Sequence, residues 1–262
     1  MSSSGTLFDR ALGEGRPALV GYLPAGYPNV AGGIDAIKVM IDAGVDLVEV
    51  GLPYSDPVMD GPVIQRATET ALAQGVRTKD VLATVEAVAG RVPVVVMTYW
   101  NPVDRYGVDA FARDLAAAGG AGLITPDLIP DEADEWLAAS DDHKLDRIFL
   151  VSPSSTDERI AMTVAHCRGF VYATAVMGVT GARDNVSDLA PALVARVQAT
   201  GSAVPVGVGL GVRDGQQAAT VGAYADGVIV GSALVQAVGD DPSLATLRNL
   251  VTDLAGGVRR AC

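Results

Sequence analysis

The sequence predicts an α/β fold in one domain over residues 1–262, a closed barrel of eight parallel strands wrapped by helices. Three observations carry that expectation. Short runs rich in Val and Ile, apolar on both faces, recur eight times; stretches of helical spacing separate them; and 262 residues is about the size of one (β/α)8 TIM barrel. The same alternation fits an open doubly wound sheet, but the chain length and the even strand count favour closure, as do glycine motifs after the last strands.

The eight runs lie at 18–22, 46–50, 93–97, 121–125, 147–151, 170–173, 205–208 and 226–230. A strand covered on both faces reads as a continuous apolar segment, as these do. A short extra helix at 7–13 precedes the first run. The helix at 34–43 ends at Gly44 and the one at 63–74 at Gly75, residues suited to the left-handed position that closes a helix. Further helical stretches lie at 80–89, 109–118, 131–139, 157–165, 189–199 and 215–221, with an extra C-terminal helix at 243–255. Asp80, Asp109 and Asp157 open three of them, where a carboxylate caps the helix or complements its dipole. No linker, low-complexity tract or charge block interrupts the chain. The segments share no repeated sequence pattern, which argues against a solenoid.

Composition narrows the function. Apolar residues make up 49% of the chain and aromatics only 5%, so the core is built from Ala, Val, Leu and Ile. Acidic residues outnumber basic ones 31 to 19, for a net charge of −12. That excludes nucleic acid and anionic membrane as partners, because both need a basic face. It does not exclude an anionic small molecule, since backbone amides at a helix N-terminus hold a phosphate without any Lys or Arg. Cys167 and Cys262 make no disulfide framework, and residues 1–5 have neither the basic nor the apolar region of a signal peptide. No apolar run approaches the roughly 18 residues of a membrane span. A cytoplasmic setting is expected.

In a barrel of this kind the working residues sit at the C-terminal ends of the strands and in the loops that follow. Glu49 lies near the end of the second run, among valines, where burial raises a carboxyl toward a value useful for acid–base work. The competing reading is a Glu paired to Lys or Arg across the barrel mouth. The loop at 52–62 holds three prolines and the acids Asp56 and Asp60; taken alone, Asp60-Gly61 reads as an ordinary turn. Glycines at 178 and 181, at 209 and 211, and at 231 follow three successive runs, the last beside Ser232. Such glycines let a backbone approach a phosphate, and phosphate sites after the seventh and eighth strands recur in this fold. The stretch 178–188 is long and polar and suits a lid. His143, His166 and Cys167 show no metal-ligand spacing, and no metal is expected. Lys38, Lys79 and Lys144 lie away from strand ends, against a Schiff-base aldolase.

The string Glu49-Val-Gly-Leu-Pro-Tyr-Ser-Asp-Pro-Val-Met-Asp60-Gly61-Pro62 resembles the signature of the tryptophan synthase alpha-subunit family. Gly26, Pro28, Pro126, Asp127, Pro130, Tyr172, Gly178-Val-Thr-Gly181, Gly209-Leu-Gly211 and Gly231-Ser232 agree with it, so the resemblance runs from Gly21 to Ser232. Met59 departs from the smaller residue or leucine usual there, which bears on loop packing and removes no chemical group.

The resemblance implies a lyase that cleaves indole-3-glycerol phosphate into indole and glyceraldehyde 3-phosphate. Glu49 would protonate indole C3 and later take the side-chain hydroxyl proton, while Asp60 would hold the ring N–H. Thr180 would help place Asp60, and Tyr172 would orient Glu49 or else be a barrel-core tyrosine. Gly181, Gly209, Gly211, Gly231 and Ser232 would bind the phosphate; Tyr22, Ile64 and Asp127 would line the indole pocket. The resemblance also implies no cofactor in this chain and an α2β2 complex with a beta subunit carrying pyridoxal phosphate. Loops 53–62 and 178–188, with Asn101-Pro102, would face that partner. The rival readings are a sugar-phosphate isomerase barrel sharing the glycines, a purely regulatory subunit, and a stand-alone indole-releasing lyase.

Overall fold

The computed structural model describes residues 3–174, 189–209 and 211–261. Its strands are β1 (Ala18–Pro24), β2 (Leu47–Gly51), β3 (Val94–Met97), β4 (Gly122–Ile124), β5 (Asp146–Ile148), β6 (Leu150–Val151), β7 (Val171–Thr174), β8 (Val206–Gly209) and β9 (Gly227–Val230). All are parallel to their neighbours and join in one sheet, in the order β5-β4-β3-β2-β1-β9-β8-β7-β6. The two ends of that order are separated in the chain by Phe149 alone, so the sheet curls into a nearly closed barrel.

The run expected at 147–151 is thus one barrel position divided in two. Its first half is hydrogen-bonded to β4 and its second half to β7, with the Phe149 carbonyl accepting from Tyr172 N at 3.1 Å. The other seven runs are strands within two residues of their expected bounds.

The helices are α1 (Ser4–Gly13), α2 (Val30–Ala43), α3 (Pro62–Ala73), α4 (Thr78–Val88), α5 (Trp100–Tyr106), α6 (Val108–Ala117), α7 (Asp134–Asp142), α8 (Asp157–His166), α9 (Leu189–Gln198), α10 (Gly215–Gly222), α11 (Ser232–Asp240) and α12 (Ala245–Arg259). Sequence periodicity missed α5 and α11. The first has 7 residues and Pro102 in its opening turn, too few turns for a period to show, and the second starts one residue after β9, so the apolar run of the strand passes straight into it. The helix expected at 131–139 opens as a 3-10 turn, Pro130–Glu132, and becomes α-helical only at Asp134.

Asp80, Asp109 and Asp157 all fall in first turns rather than at caps. Asp80 reaches back to Arg77 N at 2.8 Å, and Thr156 caps α8 through Arg159 N at 3.2 Å. Gly44 ends α2 at φ 119°, a conformation that a Cβ penalises.

Side chains alternate along every strand. The outward set, including Leu19, Val48, Val50, Val94, Val96, Leu123, Val171, Val208 and Val228, packs beneath the helices. The inward set, Val20, Leu47, Val95, Ile124, Ile148, Phe170 and Ile229, forms a second cluster with Leu7, Phe8 and Ala11 of α1. That helix therefore plugs the N-terminal end of the barrel. Two residues further along each strand, the same inward row presents Tyr22, Glu49, Met97 and Tyr172 toward the C-terminal end.

Candidate active site

Glu49 faces inward on β2 between Tyr22 of β1 and Val95 of β3, its register partners, and is 1% exposed. Among the described residues its Oε1 has no hydrogen-bond partner. Burial alone pushes its carboxyl up to about 8, so near neutral pH it is a protonated acid held in an apolar wall. No cationic partner contributes to that shift, so the pairing to Lys or Arg weighed from the sequence finds no support.

Asp60 stands in the loop between β2 and α3, directly before Gly61, the residue that precedes the first turn of α3. Burial raises its carboxyl, and a hydrogen bond from the Tyr99 hydroxyl to Oδ1, 3.2 Å long, works in the opposite direction. The same Tyr99 oxygen accepts from Met59 N at 3.0 Å, and Gln65 Nε2 donates to the Asp60 carbonyl at 2.8 Å. The loop is thus held from β3 on one side and from α3 on the other. Met59 enters through its backbone, which any residue other than proline supplies. Sequence reasoning did not single out Tyr99. Its only signal was an aromatic residue two positions past the end of β3.

The two acids differ as their surroundings do. Glu49 is enclosed by strands and unpaired, while Asp60 is half-buried and accepts a phenol hydrogen bond. Environments that differ in this way separate an acid from a charge-balancing carboxylate.

The remaining expected residues arrange themselves by strand order. β2, β1, β9 and β8 are consecutive neighbours in the sheet, so Glu49, Tyr22, Gly231 and Gly209 follow one arc of the barrel mouth. A Cβ on Gly231 would lie 3.5 Å from Tyr22 Cδ1 and 3.7 Å from Ile64 Cδ1, which puts these three residues together. Gly231 caps α11, which begins at Ser232 with no side chain on its opening amides. The preceding helix differs, since Asp214 caps α10 by accepting from Gln217 N at 2.8 Å. An anion arriving at this end of the barrel therefore meets open amides at α11 and a carboxylate at α10. Gly211 sits at φ 70°, in the left-handed region.

Tyr172 lies on the inward row of β7, across the barrel from Glu49. Its phenol is held well above its ordinary pKa by burial and then by the Glu49 carboxylate. Asp127 is exposed in the loop after β4, and both its oxygens accept from Trp100 N, at 2.9 and 3.1 Å, which ties that loop to the start of α5. Thr180 and Gly181, with the rest of the stretch expected to form a lid, lie outside the described residues. Asn101 donates to Tyr54 Oη at 3.2 Å on the same rim.

His143 pairs with Asp109 at 2.8 Å, and His166 Nδ1 lies 2.8 Å from the Met162 carbonyl. Among the described residues no group of three or more His, Cys, Asp or Glu side chains is placed to hold a metal. Among them too, no helix is long and apolar enough to cross a membrane.

Residues 8–256 match the family model described as tryptophan synthase alpha chain. The tryptophan synthase alpha chain of Mycobacterium marinum is 66% identical over 262 residues, covering 99% of this chain and 96% of that protein. The protein of the same name from Salinispora arenicola is 66% identical over 264 residues, covering 99% and 98%. Among solved structures, a chain of Mycobacterium tuberculosis tryptophan synthase superposes with a TM-score of 0.94 at 62% identity, covering 99% of each chain.

Proposed function

The chain belongs to the tryptophan synthase alpha chain family, and on that premise we propose that Glu49 and Asp60 divide the chemistry of its reaction between them. The reaction is a carbon–carbon lyase step, the cleavage of indole-3-glycerol phosphate to indole and glyceraldehyde 3-phosphate. The observation that carries the proposal is the unpaired, fully enclosed carboxyl of Glu49, raised to about 8.

Cleavage requires a proton at indole C3, stabilisation of the ring nitrogen, and removal of the proton from the side-chain hydroxyl. Neutral Glu49 gives its proton to C3. Positive charge then develops on the ring nitrogen, and the Asp60 carboxylate accepts the N–H hydrogen bond and balances it. Glu49, now ionised, takes the hydroxyl proton as the carbon–carbon bond breaks and the aldehyde forms. Its electrons return to the ring, and Glu49 ends protonated as it began. The phosphate is assigned to the backbone at Gly209 and Gly211 and to the amides of α11 at Gly231 and Ser232, with Gly181 as a further donor. Tyr22 and Ile64 line the indole pocket. Thr180 helps to place Asp60, and Tyr172 orients Glu49.

The chain partners a tryptophan synthase beta subunit, to which pyridoxal phosphate chemistry belongs, and an α2β2 stoichiometry is proposed. Val58, Ile129 and Leu189 are large apolar residues exposed near the barrel mouth, in or beside loops that follow strands, and they fit a covered face there.

The test is indole release from indole-3-glycerol phosphate in the presence of the beta subunit, for the wild type, Glu49→Gln and Asp60→Asn. Loss of turnover in both variants with retained substrate binding supports the division. Wild-type turnover in Glu49→Gln overturns it.

A further inference from the structure

Tyr99 stands between two anchored residues. Thr98 N donates to the Ile124 carbonyl at 3.1 Å, and Trp100 N donates to the Asp127 carboxylate. The backbone at Tyr99, the cap of α5, is therefore fixed by β4 and by the loop after it. Its side chain is 6% exposed, and the ring packs on Tyr54 with centroids 5.5 Å apart. From there the hydroxyl reaches the β2–α3 loop. Leu52 N pins the start of that loop to the Met97 carbonyl at 2.9 Å, and Gln65 pins its end through the Asp60 carbonyl. Ser55, Asp56 and Val58 between them are exposed. Neither pin touches a carboxylate oxygen, whereas the Tyr99 hydroxyl does.

A phenol has one proton to give. Met59 N donates to the Tyr99 oxygen at 3.0 Å and occupies its acceptor side, which turns that proton toward Asp60 Oδ1 at 3.2 Å. Burial first, and then the Asp60 charge, pushes the phenol up to about 12, so it stays a donor. The contact is longer than the roughly 2.6 Å of a tight hydroxyl–carboxylate bond, and such contacts shorten when substrate binds. The titratable groups facing Asp60 among the described residues are this phenol and that of Tyr22. Tyr22 is placed differently. Its ring lies over Gly51, where a Cβ would stand 2.7 Å from Cζ and 2.8 Å from Cε2, so it fills the space beside the end of β2.

We propose that Tyr99 is a positioning residue for the cleavage, its hydroxyl holding Asp60 Oδ1 and the Met59 amide together so that Oδ2 is left to take the indole N–H. A carboxylate carried on a largely exposed loop is thereby locked from the rigid end of β3. The inference rests on the assignment of Asp60 to that N–H.

The experiment compares Tyr99→Phe, which keeps the ring on Tyr54, with Gln65→Ala, which loosens the loop without touching the carboxylate. Both are assayed for indole release with the beta subunit present, across pH, beside the wild type, Asp60→Asn and the double variant Asp60→Asn/Tyr99→Phe. For Tyr99→Phe we expect an unchanged circular dichroism spectrum, a KM within about twofold, and a kcat lower by about tenfold, the scale of one hydrogen bond to a charged group. The acid limb of its kcat profile moves up by about one pH unit, because losing a donor to the ionised form raises the Asp60 pKa. Gln65→Ala leaves that limb in place. In the Asp60→Asn background the Phe substitution costs less than about twofold, since its effect runs through the carboxylate. An unmoved acid limb in Tyr99→Phe, whatever its KM or melting, overturns the proposal. So does an equal limb shift in Gln65→Ala, which would trace the effect to loop looseness, or a full tenfold loss in the double variant. Wild-type turnover in Asp60→Asn instead sinks the assignment beneath the inference. An impaired Asp60→Asn beside an unaltered Tyr99→Phe sinks the role of Tyr99 alone.

Discussion

Two carboxylates are buried at opposite ends of one barrel, and they are treated in opposite ways. Asp146, at the start of β5 and 3% exposed, accepts from Ser4 N and Ser4 Oγ, each at 2.7 Å, with Arg168 Nε 3.9 Å away. Glu49, 1% exposed near the other end, leaves Oε1 without a partner among the described residues. At the N-terminal end a buried carboxyl is satisfied by hydrogen bonds that pin α1 under the barrel. At the C-terminal end the fold tolerates an unpaired carboxyl, which is costly for stability and useful for moving a proton. The same strand architecture thus serves stability at one end and chemistry at the other.

The comparison can be broken in several ways. Glu49→Gln should lower the rate of indole release by about 10³-fold, within the range for losing a positioned general acid. The same change should not destabilise the chain, and above neutral pH it should raise Tm. The sign follows from the carboxyl being raised from 4.5 to about 8 on folding. Between those values the unfolded chain has released a proton that the folded chain still holds. Stability from this group is therefore full below about 4.5 and declines as pH rises toward about 8. Melting curves for wild type and Glu49→Gln across that window should diverge as pH rises; parallel curves would remove Glu49 as the unpaired group.

Asp60→Asn should reduce turnover by about 10²-fold, the scale of one lost transition-state contact, with little change in Tm. At the other end the readouts exchange places. Asp146→Ala should cost about 2–3 kcal/mol in a urea titration, since it strips the acceptor from two buried donors. Its turnover per folded molecule should stay at the wild-type level, and a comparable loss of kcat would show that the two ends are not separable. The smallest effect is expected of Ser4→Ala, about 1 kcal/mol, because the Ser4 amide still reaches Asp146.

Much of the fold was legible in the sequence, because the residues that specify it act locally. Runs such as 46–50 and 205–208 announce strands covered on both faces, and Gly44 announces a helix end. Within the candidate site, Glu49 could be singled out because valines flank it in the strand itself. Other features were illegible. Tyr99 meets Asp60 across 39 residues of chain, and Asp127 accepts from the amide of Trp100 across 27. Neither contact leaves a spacing or a motif. α5 was too short for its period to register, and α11 begins one residue after β9, so its apolar residues merge with those of the strand.

By itself the sequence determined the barrel class, the succession of its strands, the positions of the two acids, and a negative charge unsuited to nucleic acid. The class, the succession and the charge follow from composition and from runs and periodicities that a chain carries wherever it goes, whereas Asp60, taken alone an ordinary turn residue, was marked only by the resemblance of the string from Glu49 to Pro62. The tertiary structure alone decided that Glu49 is unpaired while Asp146 is satisfied, that Tyr22 lies over Gly51, and that the open helix N-terminus is that of α11 rather than α10. Each depends on which distant residue arrives beside a given group. Inside a low-dielectric barrel that arrival, more than the residue's own identity, sets whether a buried carboxyl is satisfied by hydrogen bonds or left free to move a proton.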